Sequence, residues 1–508
     1  MTLAADLAAD PPVLVQTGPS TDTFDSLDPG TGDVVAAFPV HGAQDVLAAV
    51  ERARGAAQWW RDQGFAGRKR HLGAWKGHLA RRMHELADVV HHENGKPHAD
   101  AILEITLAVD HIAWAAGHAS KVLGEQRVGA GLLAANQAAS LSYQPLGVIG
   151  VIGPWNYPVF TPMGSIAYAL AAGNAVVFKP SEYTPAVGAW LVAAWRKAVP
   201  EAPDVLQLVT GLGETGAALC RAGVDKIAFT GSARTGKKVM AACAENLVPV
   251  LMECGGKDAM IVVDDANVPA AVDAALWGGM SNAGQTCIGI ERVYATDKVY
   301  DAFVTELTAK ASALRAGSDA GASYGPITMP GQVEIITDHI ADALARGGRA
   351  TTGGHTEGGY VEPTVLVDVP EDSRAVTEET FGPTITVARV RDAEEALERT
   401  NATTYGLAGA VFSGSRRRGM ELARRMKSGM TSVNSVIAFA SVPALPFGGV
   451  GDSGFGRIHG ADGLREFTRA KAITRQRFAL PVNLVSFTRP AAVTDQVAKL
   501  MGLVHGRG

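Results

Sequence analysis

Val148-Ile149-Gly150-Val151-Ile152 and, one helix length further on, Ala175-Val176-Val177-Phe178 are short β-branched runs without polar alternation. A strand that is apolar at every position is buried on both faces, as happens where helices cover both sides of a parallel sheet. The stretch between the two runs, Thr161 to Ala172, reads as a helix. Outward from them come a helix over Thr184 to Ala198, a strand over Val205 to Val209 and another over Ile227 to Thr230. Val248 to Met252 closes the series. Strands alternating with helices of this length predict a doubly wound α/β sheet. A second alternation opens at Met260-Ile261-Val262-Val263 and runs past Ile385-Thr386-Val387, so a second α/β unit is expected, with the boundary near Cys254 to Asp258. No internal repeat and no low-complexity linker interrupts the pattern.

The chain has 508 residues, of which 47% are hydrophobic, enough for two to four domains with sizeable cores. A net charge of −5 argues against nucleic acid as a partner. Four scattered cysteines, Cys220, Cys243, Cys254 and Cys287, do not make a disulfide framework and favour a reducing compartment. The start, Met1-Thr2-Leu3-Ala4-Ala5-Asp6, lacks the basic segment that precedes a secretory apolar stretch. No apolar run reaches the ~18 residues expected of a membrane span. The expected location is the cytoplasm, with no membrane span.

Chemistry concentrates in two places. Cys287, in Ser281-Asn282-Ala283-Gly284-Gln285-Thr286-Cys287, lies 34 residues after Glu253, in Met252-Glu253-Cys254-Gly255-Gly256-Lys257. The first supplies a thiol nucleophile, the second a carboxylate able to activate water. Around them stand Pro154-Trp155-Asn156-Tyr157-Pro158, Phe178-Lys179-Pro180-Ser181-Glu182, Phe229-Thr230-Gly231-Ser232, Glu378-Glu379-Thr380-Phe381-Gly382-Pro383 and Pro446-Phe447-Gly448-Gly449. In this order they resemble the aldehyde dehydrogenase superfamily, from about Leu27 to Ala472.

The resemblance implies two doubly wound α/β domains, a Rossmann-like coenzyme domain and a catalytic domain, with a small β oligomerisation ribbon. It divides the chain into a coenzyme segment at 1–125 and 146–254, a catalytic segment at 255–450, a ribbon at 126–145 and 465–475, and a tail at 476–508. It implies oxidation of an aldehyde to the acid with NAD, NADP being the alternative coenzyme. Cys287 would be the nucleophile, Asn156 the oxyanion-hole amide and Glu253 the general base. Thiolates are strong nucleophiles whose thioesters hydrolyse readily, and fixed oxyanion donors can contribute about 3 kcal/mol each. Lys179 and Glu182 would bind the adenosine ribose, and Trp155 belongs to the same coenzyme set. Glu379 and Phe381 would hold the nicotinamide ribose, and Tyr157 and Phe447 would line the substrate tunnel. Partners implied are a small aldehyde and further copies of the chain, as a homodimer or homotetramer.

Gly211-Leu212-Gly213-Glu214-Thr215-Gly216 fits the dinucleotide fingerprint between a strand and a helix, yet no acidic ribose ligand follows about twenty residues on. We read it as a structural turn. Phosphate is expected instead at Gly231 and Ser232, where a helix start offers a hydroxyl and free N–H groups. His91, His92 and His98 surround Glu93-Asn94-Gly95-Lys96-Pro97, a helix-end sequence common in the family, so no metal is expected.

Two departures bear on substrate and assembly. The succinate semialdehyde branch carries an arginine eight residues after the oxyanion asparagine, and here that place is Gly164. Arg292 fills another arginine position of that branch, one that many relatives share. The stretch Phe447 to Arg457 is closer to relatives taking aromatic or longer aliphatic aldehydes, which disfavours short dicarboxylic semialdehydes. Beyond Arg475, Val493, Val497, Leu500, Met501 and Val504 mark one helix face, expected to dock on a neighbouring subunit or on the chain's own body. Glu253 weighs against a CoA-acylating enzyme, and the set Asn156, Glu253 and Cys287 against an idle nucleotide-binding protein.

Overall fold

A computed structural model describes residues 22–481 and 484–506, so the first 21 residues of the expected coenzyme segment, and residues 482–483 and 507–508 of the tail, lie outside the described residues. The chain forms two compact units, one from 22–122 with 145–468 and one from 123–144 with the described residues beyond 468.

The strands are, in chain order, β1 (Thr23–Leu27), β2 (Val34–Pro39), β3 (Gln126–Val128), β4 (Gln137–Pro145), β5 (Val148–Ile152), β6 (Ala175–Lys179) and β7 (Leu206–Leu208). Then come β8 (Lys226–Gly231), β9 (Val250–Cys254), β10 (Ala259–Val262), β11 (Arg292–Thr296), β12 (Arg349–Thr352), β13 (Thr356–Glu357) and β14 (Tyr360–Val361). The last are β15 (Thr364–Val367), β16 (Thr384–Val390), β17 (Gly409–Phe412), β18 (Ser432–Val433), β19 (Gly454–Phe455) and β20 (Thr468–Gln476).

Within the first unit, β9, β8, β5, β6 and β7 lie side by side and parallel, with β19 added antiparallel to β9. Every residue of β6 is buried, which is why its sequence shows no alternation. The helix Phe160–Ala172 is buried along its whole length and stops at Gly173, whose φ of 103° suits glycine. The helix Pro185–Ala198 begins on a proline, and its Ala186 and Val187 N–H groups each donate to the Glu93 carboxylate at 2.8 Å. That places an anion where the helix dipole is positive. A seven-stranded sheet in the order β12-β15-β16-β11-β10-β17-β18 completes the unit, parallel except for the antiparallel β12 edge.

Every expected element is observed within a residue or two of its bounds, and two strands show what moves their ends. The strand expected over Val205–Val209 is shortened to β7, because Pro203–Val205 forms a 3₁₀ turn. The strand expected over Val248–Met252 runs instead over β9. Val248 donates to Cys243 at 3.0 Å, closing the preceding turn, and Pro249 has no N–H for a ladder.

In the second unit, β20, β4 and β3 form a three-stranded sheet with β20 at one edge. Arg477 N–H donates to the Asn136 carbonyl at 2.8 Å, extending that pairing. The helix Ala491–His505 buries none of its residues; Leu500 is 41% and Val504 50% exposed. Among the described residues no helix is long and apolar enough to cross a membrane.

Candidate active site

Topology alone brings the sequence motifs together. Parallel pairing puts the carboxyl ends of β5, β6, β8 and β9 along one edge of the first sheet. Trp155 and Asn156 follow β5, Lys179 ends β6, Gly231 ends β8 ahead of Ser232, and Glu253 sits near the end of β9. The chain proceeds from β5 to β6 and β7 on one side, then crosses to β8 and β9 on the other, which makes the β5/β8 gap a topological switch point. Ligands of open α/β sheets bind in such crevices. The turn Gly255–Asp258 carries the chain from β9 to the amino end of β10, while Cys287 and Glu379 precede the amino ends of β11 and β16. The carboxyl edge of one sheet thus faces the amino edge of the other.

The Cys287 loop is locked to the Asn156 turn. Asn156 Nδ2 donates to the Gln285 carbonyl at 2.9 Å. The Asn156 carbonyl accepts from Asn282 Nδ2 at 3.0 Å and from Lys96 Nζ at 3.1 Å. The Tyr157 hydroxyl bonds Thr286 Oγ1 at 3.0 Å, and Lys96 Nζ lies 3.9 Å from the centre of the Tyr157 ring. Lys96 is ion-paired with the buried Glu104, whose other oxygen accepts from the Val159 and Phe160 N–H groups at 2.7 and 3.0 Å. Before the cysteine, Asn282, Ala283 and Gly284 have φ of 53°, 55° and 70°. Consecutive left-handed residues store strain of the kind found at functional loops. At Gly284 a Cβ would lie 2.0 Å from the Gly382 carbonyl oxygen, so only glycine fits.

Glu253 is buried, and its Oε1 hydrogen-bonds no described residue. A Cβ on Gly448 would stand 2.8 Å from that oxygen, so glycine there makes room for the carboxylate. Burial raises the Glu253 pKa well above the ordinary carboxylate value; Arg457 opposes the rise and Glu466 adds to it. The Cys287 thiol is also pushed up, by burial first and then by Glu253, Glu379 and Asp258. Glu379 rises to about 8, again from burial, with Glu291 adding to it and the Gly256 N–H opposing. Its Oε1 accepts that N–H at 3.1 Å, over a Gly255 whose absent Cβ would collide with the carboxylate. Phe381, at φ 51°, meets the Trp155 ring edge-on with centroids 5.4 Å apart. The Thr380 and Phe381 N–H groups both donate to Glu291 at 2.9 Å, and Glu291 is ion-paired with buried Lys257.

At the carboxyl end of β6, Lys179 donates to the Pro180 carbonyl at 3.1 Å and lies 3.8 Å from Glu182, which is 38% exposed. Ser232 caps the helix Ala233–Ala244, accepting from Thr235 N–H at 3.3 Å, and its first turn faces outward. A Cβ on Gly216 would stand 3.7 Å from the Lys179 stem, and Thr215 of the same turn donates to the His41 carbonyl at 2.8 Å. The Gly-x-Gly-x-x-Gly segment therefore lies against Lys179, anchored by a side-chain bond of its own.

Phe447 pairs with Ile458 through N–H···O bonds of 2.7 and 2.9 Å. Arg292 is buried, donating to the Lys257 carbonyl at 2.9 and 2.7 Å and to the Thr400 carbonyl at 3.2 Å, so its charge is engaged by backbone. A Cβ at Gly164 would stand 2.6 Å from His459 Nε2. Sequence reading missed Lys96, Glu104, Asn282, Gln285, Gly448 and Arg457 as parts of this site. Asn282, Gln285 and Gly448 stood inside motifs already singled out, though without a role of their own, and Lys96, beside a helix-ending glycine, reads equally well as a solvated end.

The family model described as "Aldehyde dehydrogenase family" matches residues 16–473. The 4,4'-diapolycopene aldehyde oxidase of Methylomonas sp is 34% identical over 487 residues, covering 95% of this chain and 92% of that protein. A Sinorhizobium fredii protein described as a probable succinate-semialdehyde dehydrogenase [NADP(+)] is 36% identical over 459 residues, with coverage of 88% and 92%. A structure of PnpE in complex with nicotinamide adenine dinucleotide superposes with a TM-score of 0.87 at 33% identity, and one of PnpE from Pseudomonas sp. WBC-3 with a TM-score of 0.87 at 32%, each covering 91% of this chain and 96% of that one.

Proposed function

This chain belongs to the aldehyde dehydrogenase family, and from that premise we propose that it oxidises an aldehyde to the free carboxylic acid through a covalent acyl-enzyme on Cys287. The observation that carries the proposal is the 2.9 Å bond from Asn156 to Gln285, which fixes an amide donor beside the cysteine loop on the edge that also holds buried Glu253.

The thiolate of Cys287 adds to the carbonyl carbon, and the oxygen becomes an alkoxide. An amide NH₂ has two donors; one of Asn156's is committed to Gln285, and we assign the other, with the Cys287 N–H, to that oxyanion. A bound nicotinamide ring supplies the acceptor for the departing hydride. Loss of hydride leaves a thioester on Cys287. Glu253 then takes a proton from water, the hydroxide attacks the thioester, and the acid leaves as the thiol is restored. Both Cys287 and Glu253 are biased towards their protonated forms, so the reactive species grow as pH rises. We expect kcat/KM to climb through the neutral range into the alkaline, and a profile that falls instead would contradict these assignments.

The coenzyme fits the β5/β8 crevice on three grounds: the switch point, the outward-facing first turn after Ser232, and the Lys179–Glu182 pair at the end of β6. Trp155, Lys179, Glu182, Gly231, Ser232, Glu379 and Phe381 would hold it. A carboxylate at the ribose repels a 2′-phosphate, so Glu182 favours NAD over NADP. Residues up to 125 and 146–254 form the proposed coenzyme segment and 255–450 the catalytic one. Tyr157 and Phe447 line the proposed substrate path. Gly164 and the engaged Arg292 leave no carboxylate clamp there, which supports an aromatic or longer aliphatic aldehyde. The four cysteines are all free, which suits the cytoplasm. NADH formation across aliphatic, aromatic and semialdehyde substrates tests the reading, with Cys287→Ala as control. Oxidation should disappear in the variant while NAD affinity stays nearly intact; turnover retained within about tenfold, at most about 1.4 kcal/mol of barrier, removes Cys287 from the role.

A further inference from the structure

His459 is 1% exposed, and no described residue hydrogen-bonds either of its ring nitrogens. A buried polar group without a partner is costly. Its backbone, at φ 62° and ψ 167°, also lies in a region that essentially only glycine occupies without strain. The fold therefore holds an imidazole at a position unfavourable both to its backbone and to its polar atoms. Such strain collects at ligand clamps.

The ring stands in a cage of other rings. Centroids of His111, Phe447, Phe160 and Tyr168 lie 3.9, 5.4, 5.5 and 5.6 Å away. His111 has its own partners, the Ala440 carbonyl at 3.0 Å and the Tyr168 hydroxyl at 3.4 Å. The cage adjoins the reaction site on two sides. Phe160 belongs to the Asn156 turn held by Glu104, and Phe447 precedes the Gly448 that lies against Glu253. Glycine at 164 is what admits the ring, because a Cβ there would meet His459 Nε2 at 2.6 Å and Ile458 Cδ1 at 2.7 Å. Nearby cations are engaged: Lys96 by Glu104, and Arg457 by the Gly449 and Gly456 carbonyls at 2.9 and 2.6 Å. Burial, and His111 beside it, keep the imidazole neutral.

We propose that His459 is a specificity-determining residue that hydrogen-bonds a neutral hydroxyl carried by an aromatic or otherwise apolar aldehyde away from its reacting carbonyl. This rests on the catalytic reading above. A neutral imidazole offers one donor and one acceptor, and a hydroxyl can pair with either, donating to one nitrogen or accepting from the other. Lys96 and Arg457 are already engaged and so are not free to meet a carboxylate.

The test compares kcat and KM of wild type, His459→Phe and His459→Asn on benzaldehyde, 3- and 4-hydroxybenzaldehyde, hexanal and succinate semialdehyde. Wild type should prefer a hydroxybenzaldehyde to benzaldehyde by at least about tenfold in kcat/KM, as a site built around a hydroxyl discriminates. His459→Phe keeps the ring and removes both nitrogens. It should bring that ratio close to one, mainly through KM, leave benzaldehyde turnover nearly unchanged, and melt no lower than wild type. His459→Asn, which retains a donor and an acceptor, should keep part of the preference. Equal losses on both aldehydes, a preference that survives in His459→Phe, or succinate semialdehyde as the best wild-type substrate would overturn the proposal. A wild type inert towards every aldehyde would remove the catalytic reading and this proposal together; one that oxidises benzaldehyde without any hydroxyl preference removes this proposal alone.

Discussion

At the residue scale, Glu253 joins burial to an oxygen without a described partner, and both properties bear on measurable behaviour. Below its ordinary pKa of 4.5 the carboxyl is protonated whether the chain is folded or unfolded. Above that value the unfolded chain releases the proton while the fold retains it, so Glu253 progressively destabilises the fold until its raised folded pKa is passed. Glu253→Gln should therefore melt at nearly the wild-type temperature at pH 4.5 and higher than wild type at pH 8. A variant equally or less stable at pH 8 would show that the folded carboxyl is not held protonated. The Cys287, Glu253 and Asn156 motifs are readable because each is a compact local string. His459 was not, because its interest lies in partners it lacks and in its φ, which no local pattern encodes.

At the scale of elements, the Asn156 turn depends on a helix far from it in sequence. Lys96 and Glu104 are buried, pair with each other, and between them bond the backbone of Asn156, Val159 and Phe160. Removing one member of a buried pair typically costs about 3–5 kcal/mol, because the other charge is left without its partner. Lys96→Met should lower thermal stability and reduce kcat by at least tenfold while NAD binding changes little; unchanged kcat would show that the turn holds its shape without this support. Strands and helices were legible from apolar runs, and the errors have local causes, as with Pro249 displacing β9. The Lys96–Glu104 contact was not legible, since Lys96 alone resembles a solvated helix end and Glu104 an ordinary charged helix residue. On the coenzyme side, Glu182→Ser should narrow the NAD to NADP ratio in kcat/KM mainly by improving use of NADP. A wild type that already favours NADP would remove Glu182 from that role.

At the scale of the whole molecule, β20 ends its sheet with one backbone edge unpaired within that sheet. Exposed edges invite a further strand, and we propose the ribbon of β3, β4 and β20 as the seam of a homodimer or of a tetramer built from dimers. Light scattering should give twice or four times the 52.8 kDa chain mass, and a monomer at micromolar concentration would remove the seam. The α/β organisation of the two large sheets was visible in sequence, because strands buried on both faces leave an apolar signature. The surroundings of the tail helix were not, since an apolar stripe states what must be covered without naming the cover.

The central claim is that Cys287 carries the acyl group and Glu253 releases it. The most direct measurement mixes Glu253→Gln rapidly with NAD⁺ and an aldehyde found to be a substrate, follows NADH, and then locates any adduct by mass spectrometry. With Cys287 acylated and Glu253 replaced, a burst of about one NADH per subunit should precede slow turnover, with the acyl mass on the peptide bearing Cys287. No acyl mass on that peptide, with burst and steady rate lost together or turnover unimpaired, would contradict the claim.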